Sequence, residues 1–100
     1  MEKEAKALFD QKFDELCVGG TIELPISLLT PIIPDEMTSS YSSGYIEVYR
    51  SSKSNNITID DGNHRFYKNK REKIAKNNFQ QPDWDLEVMI VRKVIPEIEW

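Results

Sequence analysis

One run constrains this 100-residue chain more than any other: Ile57-Thr58-Ile59-Asp60-Asp61-Gly62-Asn63-His64-Arg65-Phe66. Its first four residues alternate β-branched and polar side chains and read as a strand. Asp61-Gly62-Asn63 breaks that strand, and a polar, lysine-rich helix is expected from Arg65 to about residue 77. A strand that feeds a helix through one glycine turn requires sheet and helix in the same unit. Gly62 suits the turn because it takes a left-handed backbone at little steric cost. The helix carries few apolar residues, Phe66, Tyr67, Ile74 and Ala75. It therefore covers one side of a sheet and leaves a wide charged face in water.

The rest of the chain fills in that frame. Ala5, Leu8, Phe9, Phe13, Leu16 and Cys17 recur at helical steps over residues 2–17, and Gly19-Gly20 stops the helix. This apolar stripe serves either the core or a partner. Residues 21–26 read as a strand; Pro25 cannot donate to a ladder, so an edge or terminal position is expected. Residues 27–30 suggest a single helical turn, and residues 31–44 a long loop. Residues 45–49 form the first strand of a hairpin with 57–60, across a polar turn. A last strand is expected over 86–94, with Leu86, Val88, Ile90 and Arg92 on one face and Glu87, Met89, Val91 and Lys93 on the other. The predicted fold is α+β: one domain over residues 1–100, with an N-terminal amphipathic helix (1–18) and a small mixed sheet in a core of residues 20–95.

Charge and rare residues narrow the function classes. Thirteen Lys and Arg against seventeen Asp and Glu give a net charge of −4, which counts against a dedicated non-specific DNA binder. Cys17 is the single cysteine and His64 the single histidine, so neither an internal disulfide nor a zinc site of several such ligands is available. No apolar run approaches the roughly 20 residues needed to cross a bilayer, and the charged start lacks a signal-peptide core. A cytoplasmic location with no membrane contact is expected.

The glycine corner is where chemistry is expected. Such a corner aims backbone N–H groups and the positive end of a helix dipole at one point. Arg65 is able to fork two hydrogen bonds onto a phosphate or carboxylate. His64 would add a donor or act as an acid or base, and with Asp61 it is a candidate catalytic group, although no catalytic role is assigned. Asp60 and Asp61 are weak candidates for Mg²⁺. Each has a structural alternative: Asp61 as a helix cap, His64 as a hydrogen-bonded surface group, Arg65 as the partner of a carboxylate. Lys68, Lys70, Arg71 and Lys73 offer a nucleic-acid contact or simply a solvated helix face.

Asp61-Gly62-Asn63-His64-Arg65 resembles the DG-x-HR signature of the ParB/sulfiredoxin-like superfamily, and residues 22–29, IELPISLL, resemble that family's first strand. The similarity spans roughly residues 20–95. It implies that Gly62, Asn63, His64 and Arg65 contact the phosphate of a nucleoside di- or triphosphate, with Mg²⁺ as companion. Members include chromosome-partitioning CTPases, nuclease-like proteins, a free-serine kinase and sulfiredoxin. Asn63 stands where sulfiredoxin has its cysteine, so reductase chemistry is not implied. Lys68 and Asn69 replace the small residues that usually follow the signature.

Three functions follow as expectations. The first is a nucleotide- or phosphate-binding domain, related to phosphotransferases or nucleases. The second is a catalytically silent interaction protein, of phage, mobile-element or toxin-neutralising type, using its N-terminal helix for a protein partner. The third is a DNA-associated accessory domain.

Overall fold

The computed structural model describes residues 1–35 and 44–99. Of the loop expected over 31–44, the stretch 36–43 lies outside the described residues. Five strands form one sheet: β1 (Thr21–Pro25), β2 (Leu29–Thr30), β3 (Ile46–Arg50), β4 (Ile57–Asp61) and β5 (Val88–Lys93). Their order is β1-β5-β3-β4-β2. The β1–β5 and β3–β4 pairs are antiparallel, whereas β5–β3 and β4–β2 are parallel, so the sheet is mixed. Among the described residues the two α-helices are α1 (Lys3–Glu15) and α2 (Asn63–Lys76). Among the described residues no helix is long and apolar enough to cross a membrane.

β1 and β2 occupy opposite edges of the sheet, yet only a three-residue 3-10 turn, Ile26–Leu28, separates them. Five flat strands would hold their outer members about 19 Å apart, four spacings of about 4.8 Å. Four residue steps reach at most about 14 Å even when fully extended. The sheet must curl, and its concave side holds the core. Leu24, Ile26, Leu29, Ile46, Val48, Ile57, Ile59, Met89 and Val91 fill it, with Phe13 from α1 and Phe66 from α2.

β2 corrects the sequence reading. Residues 27–30 were expected to make one helical turn, but the turn is Ile26–Leu28, and Leu29 and Thr30 pair with Ile57 and Thr58. Leu29 becomes almost fully buried by that pairing. Pro25 behaves as expected at the end of an edge strand. It sits opposite Val88, whose amide faces away from β1, so its missing N–H leaves no gap in the ladder. The final strand is shorter than 86–94, and its Met89–Val91 face is the buried one.

α1 uses only part of its apolar stripe. Phe13 is fully buried and Phe9 packs against the core, while Leu8 stays 52% exposed and Cys17 lies exposed beyond the helix end. The reason is how the helix is seated. Arg50 and Lys93 each lie two residues beyond a buried valine, Val48 and Val91, so both project from the same, concave side of the sheet, under α1. The Lys93 ammonium donates to the carbonyls of Phe13, Asp14 and Leu16 at 3.0, 3.1 and 2.9 Å. It thereby satisfies acceptors that a helix C-terminus leaves open, and places positive charge where the dipole favours it. Arg50 binds Asp10 at 3.1 Å and Asp14 at 2.9 Å. The two cations flank the Phe13 ring, at 4.9 Å for Lys93 and 5.7 Å for Arg50.

The β4–α2 corner is tighter than expected, because α2 starts at Asn63 rather than Arg65. Gly62 alone makes the turn, with φ +98°, and a Cβ there would stand 3.0 Å from the Ile46 Cα. Two requirements, handedness and space, fall on one residue. Gly62→Ala should lower unfolding stability by at least ~2 kcal/mol, since the left-handed conformation alone costs about 1–2 kcal/mol; a urea titration measures this. Lys93→Met keeps the aliphatic stem and removes the charge. It should cost about 2 kcal/mol, as for hydrogen bonds to charged groups, and hydrogen exchange should show α1 losing protection before the sheet does.

Candidate functional site

Three longitudinal rows of α2 side chains define what surrounds the corner. Asn63, Tyr67 and Arg71, spaced by four, hold the segment after β2. Asn63 Oδ1 accepts the Ile32 N–H at 3.1 Å, the Tyr67 hydroxyl donates to the Ile33 carbonyl at 2.9 Å, and Arg71 pairs with Asp35 at 2.6 Å. Phe66 enters the core, and Lys70 covers it, with its ammonium 5.4 Å from the Phe66 ring and 4.8 Å from Trp84. Arg65, Asn69 and Lys73 form the third row and wall a groove of about 350 Å³. Its other lining comes from Tyr45, Ile46, Val88, Met89 and Ile90.

The predicted site residues therefore divide. Gly62 makes the turn. Asn63 is buried with its side-chain oxygen engaged, so only its backbone faces the helix start. His64 and Arg65 are half-buried in the first turn. Arg65 stands between the groove and a smaller concavity of about 230 Å³, lined also by Lys68, Asn69 and Glu72. Asp61 is exposed and accepts the Gly62 N–H at 3.0 Å, a contact one residue before the helix and not a cap on it.

The four cations named for nucleic acid are mostly engaged within the chain. Lys70 lies on two aromatic rings, Arg71 pairs with Asp35, and Lys73 meets Glu87 at 3.2 Å. Lys68 is exposed at the smaller concavity.

Asp60 faces a different space. With Glu47 and Glu97 it lines an open hollow of about 410 Å³ whose other walls are Val94, Ile95 and Ile98. Partial burial pushes its carboxyl pKa above the ordinary 3.8, and the charges of Asp61 and Glu97 push it the same way. Among the described residues no group of three His, Cys, Asp or Glu side chains is arranged to hold a metal ion.

Tyr45, Asn69, Val88 and Ile90 belong to the groove and were not singled out by sequence reasoning. The four-residue spacing of Arg65, Asn69 and Lys73 was the available signal for the helical wall. The strand wall had none, because its position depends on which strand lies next to β5. Comparison with known proteins returns no matching family model, no matching curated protein and no matching solved structure.

Asp60 supplies a test of the local electrostatics. A carboxyl whose pKa is raised by folding destabilises the folded state once the pH exceeds its folded pKa. Asp60→Asn should therefore raise the melting temperature near neutral pH. The gain should vanish as the pH falls below 3.8, where wild-type Asp60 is also neutral. Melting curves of both proteins across that range measure it.

Proposed function

We propose that this protein binds a phosphate-bearing ligand of the nucleotide class at the start of α2, as the resemblance to ParB/sulfiredoxin-like proteins implies. The observation that carries the reading is the placement of Arg65. It stands in the first helical turn, where the dipole favours an anion, and at the shared rim of two concavities large enough for the rest of a ligand. In this reading Gly62 makes the turn that sets the helix start, packed against the Ile46 backbone. Asn63 contributes its N–H, His64 a ring donor, and Arg65 a forked pair of charge-assisted bonds. Lys68 adds charge at the smaller concavity. Tyr45 lines the larger one, with the Arg92 guanidinium 4.4 Å from its ring centre. Any Mg²⁺ ion would enter with the nucleotide; of the two candidate carboxylates only Asp61 adjoins the corner, because Asp60 lines the separate 410 Å³ hollow. Binding is what this arrangement supports, and no reaction step is built on it.

One observation favours the second reading, a silent interaction protein. Val88 and Ile90 remain exposed along one face of β5, and Leu86 is exposed in the turn before it. The DNA-associated reading has less behind it, since Lys70, Arg71 and Lys73 already have partners.

Thermal melts with ATP, ADP, CTP and inorganic phosphate, each with and without Mg²⁺, test the proposal. A ligand at a hundred times its dissociation constant stabilises by about 2.7 kcal/mol, which for a domain of this size raises the melting temperature by about 10 °C or more. The Arg65→Ala protein should lose that rise. If none of the four compounds shifts the wild-type melt, the nucleotide reading is wrong.

A further inference from the structure

The side of the sheet away from the core carries charge that the chain does not answer. Val94 donates to the Val48 carbonyl at 2.9 Å, and Glu99 accepts from the Ser52 N–H and hydroxyl. Residues 95–98 therefore run from beside Val48 to the turn that follows β3, and the open 410 Å³ hollow lies along this span. A register shift between Glu47 and Val48 leaves Asp60 as the extra residue of a β-bulge, so Asp60 and Asp61 both stand against Glu47. Glu97 adds a carboxylate from the span. Elsewhere Asp10, Asp14, Asp35 and Glu87 each meet a cation. Among the described residues none meets Glu47, Asp60 or Glu97, and no Lys or Arg lines the hollow. Asp60 registers the imbalance: burial, then the charges of Asp61 and Glu97, raise its pKa, and no positive group offsets them.

We propose that this hollow docks a basic amphipathic helix of another protein. Its apolar surface asks for cover: Val94, Ile95 and Ile98 complete the lining, and Ile95 and Ile98 are 77% and 64% exposed. The carboxylates beside it fix the charge of the occupant, because complementary potentials select the partner. Nucleic acids and anionic lipid surfaces are repelled by the same groups. Backbone pairing is not the mode of contact. β3 is already flanked by β5 and β4, and the Val94 N–H is engaged with Val48. Recognition therefore runs through side chains. In a helix, residues at steps of three and four share one side. Leucines at those steps would cover Ile95 and Ile98. Lysines bordering them would reach Glu47, Asp60 and Glu97, which stand on three different segments of the chain. A surface of this size gives a weak complex that salt screens. Neither Gly62 nor Arg65 lines the hollow, so the proposal does not rest on nucleotide binding.

The probe is a blocked peptide of about 14 residues, roughly four helical turns, with leucine at steps of three and four and lysine elsewhere. It is titrated at low salt into the full chain, labelled with ¹⁵N and with ¹³C at the valine and isoleucine methyl groups. The expected result is saturable movement of the Val94, Ile95 and Ile98 signals. A peptide of the same composition in scrambled order, which does not gather its leucines on one side, should bind at least tenfold more weakly. The double substitution Asp60→Asn with Glu97→Gln should also weaken binding at least tenfold, and Ile98→Ser, at an exposed position, at least fivefold. Circular dichroism checks the fold of both variants. Unmoved Val94, Ile95 and Ile98 signals at millimolar peptide would overturn the proposal. So would equal binding of the scrambled peptide or of spermine, either of which reduces the contact to charge. Undiminished binding by the double variant would overturn it too, by removing charge from the contact.

Discussion

The short link between β1 and β2 governs this structure. Three residues join the two outer strands of a five-stranded sheet, a distance that a flat sheet would not allow them to span. The resulting curl gives a chain with a modest apolar content a concave side on which to bury it. Among the described residues eleven form that core, and nine of them come from the sheet or the 3-10 turn at its edge. Each helix then contributes one fully enclosed large side chain, Phe13 or Phe66, with Phe9 and Tyr67 packed partly against the core, and much of the remaining surface is left for polar contacts.

Those polar contacts position everything outside the sheet. α1 is seated by Lys93 and Arg50, two cations that reach out of the core side of the sheet to its last carbonyls and its Asp10 and Asp14 carboxylates. Asp10 is held below the ordinary aspartate pKa; burial opposes this, but hydrogen bonds from Lys6 and Arg50 outweigh it. α2 is fixed at its start by Gly62 against the Ile46 backbone, and along one side by Asn63, Tyr67 and Arg71. With the helix so anchored, the row Arg65, Asn69 and Lys73 has a fixed relation to the β5 edge.

Local patterns were legible in the sequence and nonlocal ones were not. The periodicity around Phe9 and Phe13, the β3–β4 hairpin, the edge position of Pro25 and the helix-opening glycine all rest on neighbours within a few residues, and the structure contains each of them. β2 was missed because two residues carry no period; Leu29 is a strand residue only because Ile57 lies beside it. Asn63 reads from its position as a ligand contact, but its side chain finds Ile32, thirty-one residues away. The groove is a product of strand order. Val88 and Ile90 read as an ordinary alternating strand, and nothing in their own segment says that Arg65, Asn69 and Lys73 of α2 line the same groove.

The position of β5 has a consequence for how the chain is made. It is the last strand in sequence, yet it lies between β1 and β3. During synthesis β3, β4 and β2 are able to pair as soon as Asp61 is available, but β1 must wait for a partner nearly seventy positions further on. Until Val88–Lys93 leaves the ribosome, β1 and β3 each present an unpaired edge, the kind of surface through which nascent chains stick to one another. Premature termination before that strand would therefore remove the middle of the sheet and not merely its end, leaving two exposed edges and an α1 without its Lys93 anchor.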